Sequence, residues 1–172
     1  MNLDFVSHIT ISKSLSNEIY IKYKQEGEFK ENHLLKTNGS NRELHIQEIV
    51  SPMLKRYNDK LSVHKTVANE IEVLVPINFK TIIKAKFCVI NIMASFSDIN
   101  LEIKEGRVNL NQKHIKGEIK SVSANVFCVK QEVQLLVSSK NNFVSELNIS
   151  SIKPDLIVKT VRGDITSECL IN

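Results

Sequence analysis

Apolar side chains at every second position are the feature that most constrains how this chain can fold. The longest such run consists of Ile71, Val73, Val75, Ile77 and Phe79, and shorter runs recur through most of the sequence. Successive side chains of a β-strand point to opposite faces, so this period predicts strands with one buried face. Many of the alternating residues are β-branched, which strands favour. The chain is therefore expected to be rich in β-sheet.

Turn-forming residues separate the alternating runs. They are found at Glu26-Gly27-Glu28, Glu105-Gly106-Arg107, Lys116-Gly117, Ser139-Lys140-Asn141-Asn142 and Arg162-Gly163-Asp164. Strands joined by short turns are typical of hairpins, and hairpins make antiparallel sheets. No alternation of strands and helices is visible, which argues against a doubly wound parallel sheet. No clean internal repeat is evident either.

Residues 79–96 fit two interpretations. Phe79, Ile82, Ile83, Phe87, Ile90 and Met93 have helical spacing. The stretch from Phe87 to Met93 also fits a strand that is buried on both faces. The β-branched residues Val89, Ile90 and Ile92 favour the strand.

One segment, about residues 42–60, is predicted to be a helix. Its apolar residues follow the i, i+3, i+4, i+7 pattern that places them on one helical stripe. They are Ile46, Ile49, Val50, Met53, Leu54, Tyr57 and Leu61. Ser40 and Glu43 fit a capping box at its start, whereas Pro52 should kink the helix or begin a second one. The predicted fold class is therefore α+β, with a mostly antiparallel β-sheet and one amphipathic helix packed on it.

Length and charge limit the class of protein. The 172 residues fit a single domain spanning residues 1–172. The net charge of +4 is too small to indicate nucleic-acid binding, and most lysines alternate with apolar residues, as on the solvated face of a strand. Lys80, Lys84 and Lys86 lie close together. They indicate either a weak site for an anionic surface or, more simply, a solvated face.

No targeting or membrane segment is evident. Residues 1–12 lack the basic start and the continuous apolar core of a secretory signal. The run from Val89 to Met93 is interrupted by Asn91 and is far shorter than the ~20 residues of a membrane-spanning helix. These features predict a cytoplasmic protein without a transmembrane segment. Release by a route that needs no signal peptide stays open.

No motif for catalysis, metal binding or cofactor binding is present. The five histidines are scattered, and none pairs with another at the spacing of a helical zinc site. Neither a phosphate-binding glycine loop nor the elbow of a serine hydrolase occurs. Cys88 and Cys128 lie in apolar runs and are expected to be buried, whereas Cys169 is a candidate exposed thiol. We therefore expect no enzyme, no metal and no cofactor.

A short adhesion-type tripeptide occurs near the end of the sequence. Arg162-Gly163-Asp164 matches the tripeptide that some cell-adhesion ligands carry. Three residues match by chance often, and Gly-Asp is common in turns. A turn is therefore the expected role of these residues.

Two roles are open for the predicted helix. Its apolar stripe can pack on the sheet as core, which is the simpler interpretation. Alternatively, part of it lines an apolar groove or meets a partner, and the adaptable Met53 and amphipathic Tyr57 suit that role. The candidate partner or apolar surface consists of Ile46, Ile49, Val50, Met53, Leu54 and Tyr57.

A helix followed by a long antiparallel sheet of amphipathic strands resembles the tubular lipid-binding (TULIP) superfamily. The segments behind the resemblance are Ser40-Asn41-Arg42-Glu43-Leu44 through Leu61, and Ile71-Glu72-Val73-Leu74-Val75 onward. The low glycine content and the Asn-, Lys- and Ile-rich composition also resemble the small OrfX-type accessory proteins of clostridial neurotoxin gene clusters. The resemblance implies a non-enzymatic protein that forms a complex with a larger relative and touches lipid. No diagnostic motif accompanies it, so no functional residue is carried over.

Three functional hypotheses are consistent with these features. The first is an interaction subunit that docks on a protein partner through an exposed sheet edge or apolar face. The second is a carrier of lipid or another apolar ligand. The third, an enzyme whose site assembles only in three dimensions, has least support because no nucleophile, metal set or phosphate loop is visible. A phage or virion structural component is a further alternative to the first.

Overall fold

The computed structural model describes residues 1–27, 33–40, 43–52, 68–129, 135–144 and 154–168. Within these ranges the chain is all-β, with twelve strands and no helix, so the predicted α+β fold is wrong. No helix that could span a membrane is found among these residues. The strands are β1 (Asn2–Leu3), β2 (His8–Lys13), β3 (Tyr20–Glu26), β4 (His33–Gly39), β5 (Leu44–Val50), β6 (Ala68–Val75), β7 (Thr81–Ile92), β8 (Ile99–Leu110), β9 (Gly117–Val129), β10 (Leu135–Ser139), β11 (Leu156–Thr160) and β12 (Ile165–Glu168).

The first part of the predicted helix is strand β5. It pairs with β4 on one side and with β1 on the other. Ile46 and Glu48 point inward, and their neighbours point outward. A short apolar window fits both the helical and the strand period, and pairing with neighbouring strands decides between them. The remaining members of the predicted stripe, Met53, Leu54 and Tyr57, lie outside the described residues.

Three long strands, β7, β8 and β9, lie side by side and run parallel. Thr81 pairs with Ile99, and Ile99 pairs with Gly117, so equivalent residues are 18 positions apart. The chain therefore winds in coils of 18 residues that stack on one another. Few equivalent positions keep the same residue type, so this repeat is not evident in the sequence. The strand predicted within residues 79–96 is confirmed as β7, but its predicted burial on both faces is wrong, because Phe87 and Met93 are exposed.

Each long strand bends at a corner near its middle. In β7 the inward side chains are Thr81, Ile83 and Ala85 before the corner and Cys88, Ile90 and Ile92 after it. The alternation of inward and outward side chains is interrupted at Lys86 and Phe87, because two successive residues are exposed. The corners thus fold one 12-stranded sheet into two layers around a shared core. The predicted turn at Glu105-Gly106-Arg107 is the corner of β8, inside a strand rather than between two.

The two layers have different strand orders. The first layer reads β4-β5-β1-β7-β8-β9-β11-β10. The second reads β3-β6-β2-β7-β8-β9-β12. In the described part of the chain only β3 with β6 and β4 with β5 pair antiparallel, so the predicted mostly antiparallel sheet is wrong. Alternation reports which side chains are buried, and it carries no information about the direction of the neighbouring strand.

The segments between the long strands close each coil at the end opposite the corner. Residues 93–98 lead from β7 to β8, and residues 111–116 lead from β8 to β9. Phe96 and Ile115, one in each segment, are fully buried. They fill the space between the layers where the strands end. The core is therefore enclosed by two strand layers and by these connecting segments.

Small residues lie at the corner in successive coils. Cys88 lies beside Gly106, and Gly106 lies beside Ala124. Gly106 has a φ of 128°, and a Cβ at this position would overlap the Cys88 carbonyl oxygen. In the next coil, a Cβ on Gly163 would overlap the Ala124 carbonyl oxygen. The backbones approach so closely at the corner that larger side chains have no space there.

Candidate interaction surface

Large apolar side chains form a row on the outside of the corner. The pairing of β1 with β5 and with β7 places Val50, Phe5 and Phe87 at the corner of three neighbouring coils. Their exposed fractions are 46%, 46% and 55%. The Phe5 ring also contacts His33, with ring centroids 4.4 Å apart. Single exposed apolar residues are ordinary on a protein surface, but a contiguous row is typical of an interaction site.

Apolar side chains occur again at the corner after β8, whose own corner residues Lys104 and Glu105 are charged. Val122 and Val161 lie at the same corner and are also partly exposed. The Arg162 N–H donates a 2.9 Å hydrogen bond to the Val122 carbonyl oxygen, which holds these two coils together. We define the corner ridge as Val50, Phe5, Phe87, Val122 and Val161.

Cationic groups accompany the apolar row. The Lys104 ammonium lies 5.1 Å from the centroid of the Phe87 ring, a cation–π geometry. Lys86 Nζ lies 2.8 Å from Asp4 Oδ2. Among the described residues, no acid pairs with Lys104, and apolar area next to such a cation suits a partner that offers both apolar and acidic groups.

A buried carboxylate lies beneath Phe5. Glu48 is only 6% exposed. Its Oε2 accepts the Phe5 N–H at 2.7 Å, and its Oε1 accepts the Tyr23 hydroxyl at 2.8 Å and the Asn69 side-chain amide at 2.9 Å. A carboxylate removed from water requires such donors. Burial, together with the bond to Glu48, raises the pKa of Tyr23 well above its usual range, so the phenol keeps its proton.

This network explains how a segment without regular pairing holds a fixed corner. Residues 4–7 belong to no strand, yet the Phe5 backbone is tied to the Glu48 side chain. Gln25 extends the network, because its side-chain amide donates to the His33 carbonyl oxygen at 2.7 Å. The Phe5 ring is therefore held in place at the surface, which lowers the entropic cost of binding through it.

A cleft of about 590 Å³ opens between the layers at the end away from the corner. Its volume falls within the range of small-molecule and peptide sites. Apolar residues line its floor, namely Ile19, Leu44, Ile46, Val73, Val75 and Phe79. Polar residues form its rim, namely Lys36, Asn38, Ser40, Glu43, His45, Gln47 and Lys80.

The structure separates residues that the sequence analysis grouped on one stripe. Ile46 is buried and lines the cleft, Val50 is exposed on the corner ridge, and Ile49 is half-buried between them. The sequence analysis did not single out Phe5, and it placed Phe87 in a strand buried on both faces, whereas Phe87 is exposed. A signal for Phe87 exists, because Lys86 and Phe87 interrupt the alternation and place an aromatic side chain outward.

The lysines that cluster in the sequence are each close to an acid. Lys84 Nζ lies 2.9 Å from Glu102 Oε2. Lys80 Nζ lies 3.9 Å from Asp98 Oδ2, and Lys86 is paired with Asp4 at the corner. Exposed pairs of this kind are worth about 0–1 kcal/mol each and leave little free positive charge. This arrangement agrees with a solvated face more than with an anionic-surface site.

The tripeptide Arg162-Gly163-Asp164 forms the corner between β11 and β12. Gly163 is buried against Ala124. Asp164 Oδ1 accepts the Phe143 N–H at 3.2 Å, and the Asp164 N–H donates to Asn125 Oδ1 at 3.0 Å. The Asp164 carboxylate is thus engaged within the fold, as expected of a turn.

The cysteine prediction is confirmed for two of the three residues. Cys88 and Cys128 are buried free thiols, and burial raises the pKa of each to about 12. Cys169 lies outside the described residues. Within the described ranges, no group of three or more His, Cys, Asp and Glu side chains is placed to hold a metal ion.

The comparisons with known proteins are sparse. No protein-family model matches this chain, and no curated protein matches it. A solved structure from Clostridium sporogenes, described as a "putative cell adhesion protein", is similar with a TM-score of 0.57. The sequence identity is 16%, and the match covers 96% of this chain and 90% of that chain. At this identity the likeness shows the fold alone.

Proposed function

We propose that this protein is a non-enzymatic interaction protein that docks on a protein partner through the corner ridge. The observation that carries the proposal is the row formed by Val50, Phe5 and Phe87, which exposes large apolar side chains in three consecutive coils. Stacked coils are a stiff scaffold, and the hydrogen bond from the Phe5 backbone to Glu48 fixes the centre of the row. A preorganised surface loses little conformational entropy on binding.

The side chains of the corner ridge indicate what kind of surface the partner should have. Full burial of a large apolar side chain contributes about 1.5–3 kcal/mol, and half-exposed side chains contribute about half of that. Phe5 and Phe87, with Val50, therefore form a small central hot spot. Lys104 beside Phe87 favours a carboxylate on the partner. We infer a partner with an apolar patch that is bordered by acidic residues.

The structural comparison supports a function of this class. The name of the Clostridium sporogenes protein refers to cell adhesion, which is an interaction function. It identifies no partner for this chain. A larger toxin-cluster protein as the partner stays a prediction from the resemblance, and the lipid carrier and the virion component stay predictions as well.

Site-specific photo-crosslinking in the organism that makes the protein tests the proposal. A photoreactive phenylalanine analogue replaces Phe5 or Phe87 in two variants of the protein. A matched control carries it in place of Glu102, which is exposed on the outer face of the first layer. The expected result is one discrete adduct of the same mass from both ridge positions and none from the control.

Two outcomes would contradict the proposal. The first is the absence of a discrete adduct from either ridge position. The second is an equal adduct pattern from the ridge and from position Glu102, which would indicate non-selective collision. The substitution Lys104→Glu tests the inferred acidic partner, because it should weaken the Phe87 adduct without abolishing folding.

A further inference from the structure

The outward side chains of four neighbouring strands in the second layer form a continuous face. β2, β7, β8 and β9 run parallel there, and each pairs with a strand on both of its sides. The outward residues alternate with buried core residues along every strand. The pairing register sets polar side chains and one aromatic ring side by side across the strands. We define the amide face as Thr10, Asn91, Arg107, Asn109, Asn125 and Phe127.

A stacked guanidinium lies near the centre of the amide face. Arg107 pairs with Asn125, and Phe127 follows two residues later on the same strand. The Arg107 guanidinium carbon lies 4.7 Å from the centroid of the Phe127 ring. Arg107 is exposed, whereas Phe127 is half-buried. Stacking on the ring holds the planar guanidinium in one orientation and leaves the N–H groups along its edge accessible to a ligand.

The charge of Arg107 is not balanced by the part of the chain that the structure describes. No acid there lies within ion-pair distance of its guanidinium. On the adjacent strands β3 and β6, by contrast, charges of opposite sign lie directly across from each other. Lys22 pairs with Glu72, and Lys24 pairs with Glu70. The amide face therefore presents one fixed positive charge, which favours a ligand that carries a carboxylate or a similar anionic group.

The amides around Arg107 offer both donors and acceptors. Asn109 Nδ2 donates a 2.7 Å hydrogen bond to Asn91 Oδ1, and this bond leaves the Asn91 amide N–H groups and Asn109 Oδ1 unused. Asn125 is exposed, and its Oδ1 accepts the Asp164 N–H at 3.0 Å. A hydroxyl group both donates and accepts hydrogen bonds, so it is complementary to such amides. Sugars are the ligands that carry hydroxyl groups on every unit.

The spacing of the strands matches a chain of sugars. Neighbouring strands lie about 4.8 Å apart, so the four strands of the amide face span about 14 Å. A sugar ring with its linkage advances an extended polysaccharide by a similar length for each unit. A polysaccharide that crosses the strands at right angles thus places about one sugar over each strand.

We propose that the amide face binds an anionic polysaccharide that contains uronic acids, with its chain running across β2, β7, β8 and β9. A uronate carboxylate accepts two hydrogen bonds from the Arg107 guanidinium. Hydroxyl groups of the neighbouring sugars bond to the amides of Asn91, Asn109 and Asn125. The amide face is separate from the corner ridge, and its ligand does not depend on the function proposed for the ridge.

An acidic segment of another protein fits the amide face less well. It offers carboxylates to Arg107, but a carboxylate only accepts hydrogen bonds and supplies no donor for Asn109 Oδ1. It also gains no backbone pairing, because each of the four strands is already paired on both sides. The polysaccharide satisfies the cation and the amides together.

The test uses the full chain and a hexamer of galacturonic acid as the probe. The matched control is the same hexamer with methyl-esterified carboxylates, which keeps its other hydroxyl groups but has no charge. Calorimetry measures the affinities, and nuclear magnetic resonance follows the side-chain amides of Asn91 and Asn109. We expect both amides to shift on binding, and the ester to bind about 10-fold more weakly. Added salt should weaken binding of the acid, because the ion pair is exposed.

Protein variants separate the role of the charge from that of the amides. Arg107→Gln should lower the affinity for the acid about 10-fold and leave the affinity for the ester unchanged. Asn109→Ala should weaken both probes about 5-fold, because the hydroxyl groups occur in both. The control is Lys84→Gln, which removes an exposed lysine from the first layer and should bind like the wild type.

Four results would overturn the proposal. The first is equal affinity for the acid and its ester. The second is equal loss of affinity in Arg107→Gln and Lys84→Gln, which would indicate general attraction by surface charge. The third is a glutamate hexamer that binds more tightly than the galacturonate hexamer, which would indicate an acidic protein segment. The fourth is no binding of the galacturonate hexamer or of a hyaluronan hexamer at millimolar concentration.

The proposal for the amide face and the function proposed for the corner ridge can fail separately. Phe87→Ser changes the ridge and should leave binding of the galacturonate hexamer intact, whereas loss of that binding would place the polysaccharide on the ridge and overturn the proposal. Absence of the ridge adducts in the crosslinking experiment, with polysaccharide binding intact, would refute only the function proposed for the ridge.

Discussion

The Tyr23 hydroxyl donates a 2.8 Å hydrogen bond to Glu48 Oε1, and this bond joins the two layers close to the corner. Tyr23 belongs to β3 in the second layer, and Glu48 belongs to β5 in the first. Glu48 also accepts the Phe5 N–H, so one carboxylate holds both layers and the segment between β1 and β2. The corner ridge therefore depends on a polar group in the core beneath it.

Removal of the Tyr23 hydroxyl should lower the stability of the fold. Tyr23→Phe leaves Glu48 with one donor fewer in a buried site, where a hydrogen bond to a charged group is worth about 1.5–3 kcal/mol. We expect a decrease of about that size in the free energy of unfolding, measured by urea denaturation. The slope of the transition should not change, because the same surface is buried.

The matched control is Tyr20→Phe. The Tyr20 hydroxyl also donates to a glutamate, Glu18, at 2.6 Å, but this bond is exposed to solvent. Water replaces the lost partner there, so the loss of stability should stay within about 0.5 kcal/mol. Equal losses in the two variants would show that the bond beneath the ridge has no special role.

A side chain at Gly106 should disrupt the corner. Gly106→Ala places a Cβ against the Cys88 carbonyl oxygen and forces a non-glycine residue to a φ of 128°. We expect a loss of about 2 kcal/mol or more in the free energy of unfolding. Urea denaturation measures it, with the exposed neighbour substitution Glu105→Ala as the control, which should change stability by less than about 0.5 kcal/mol. A neutral Gly106→Ala variant would mean that the corner relaxes freely.

The presence of strands could be predicted from the sequence because alternation is a local property. Ile71, Val73 and Val75 have their inward positions in β6 as expected, and the strand within residues 79–96 was favoured correctly. The parallel order could not be predicted from the same pattern. It depends on which strand lies next, and this follows from an 18-residue coil in which the turn residues at Gly106 form a corner inside a strand.

The candidate interaction surface could be predicted from the sequence only in part. Val50 was among the predicted surface residues, although it was assigned to a helix that the described residues do not contain. Phe5 becomes significant only because the pairing of β1 with β7 places it at the same corner as Phe87. A pairing between distant segments leaves no mark on local spacing.

Cys88 and Cys128 should resist alkylation in the folded protein. Both thiols are buried, and burial raises the pKa of each to about 12, so the reactive thiolate is scarce near neutral pH. In a Cys169→Ser background, we expect no iodoacetamide adduct at pH 8 in buffer and two adducts in denaturant. Mass spectrometry after quenching counts them. Rapid labelling of the folded protein would show that one thiol reaches solvent.

Alkaline pH should destabilise the fold through the same buried groups. The pKa of each buried thiol is raised from 9.0 to about 12, and that of Tyr23 is raised above 10.0. Above pH 9 the unfolded chain therefore loses protons that the folded chain retains, and the free energy of unfolding must fall as pH rises. The stabilising effect is complete below pH 9 and decreases from there toward pH 12. Thermal denaturation at pH 8, 9, 10 and 11 measures this decrease.

Cys88→Ala is the informative variant. It should be less stable than the wild type at pH 8, because a buried side chain is lost, but its stability should fall less steeply above pH 9. A wild-type melting temperature that stays constant from pH 8 to pH 11 would contradict the burial of these groups.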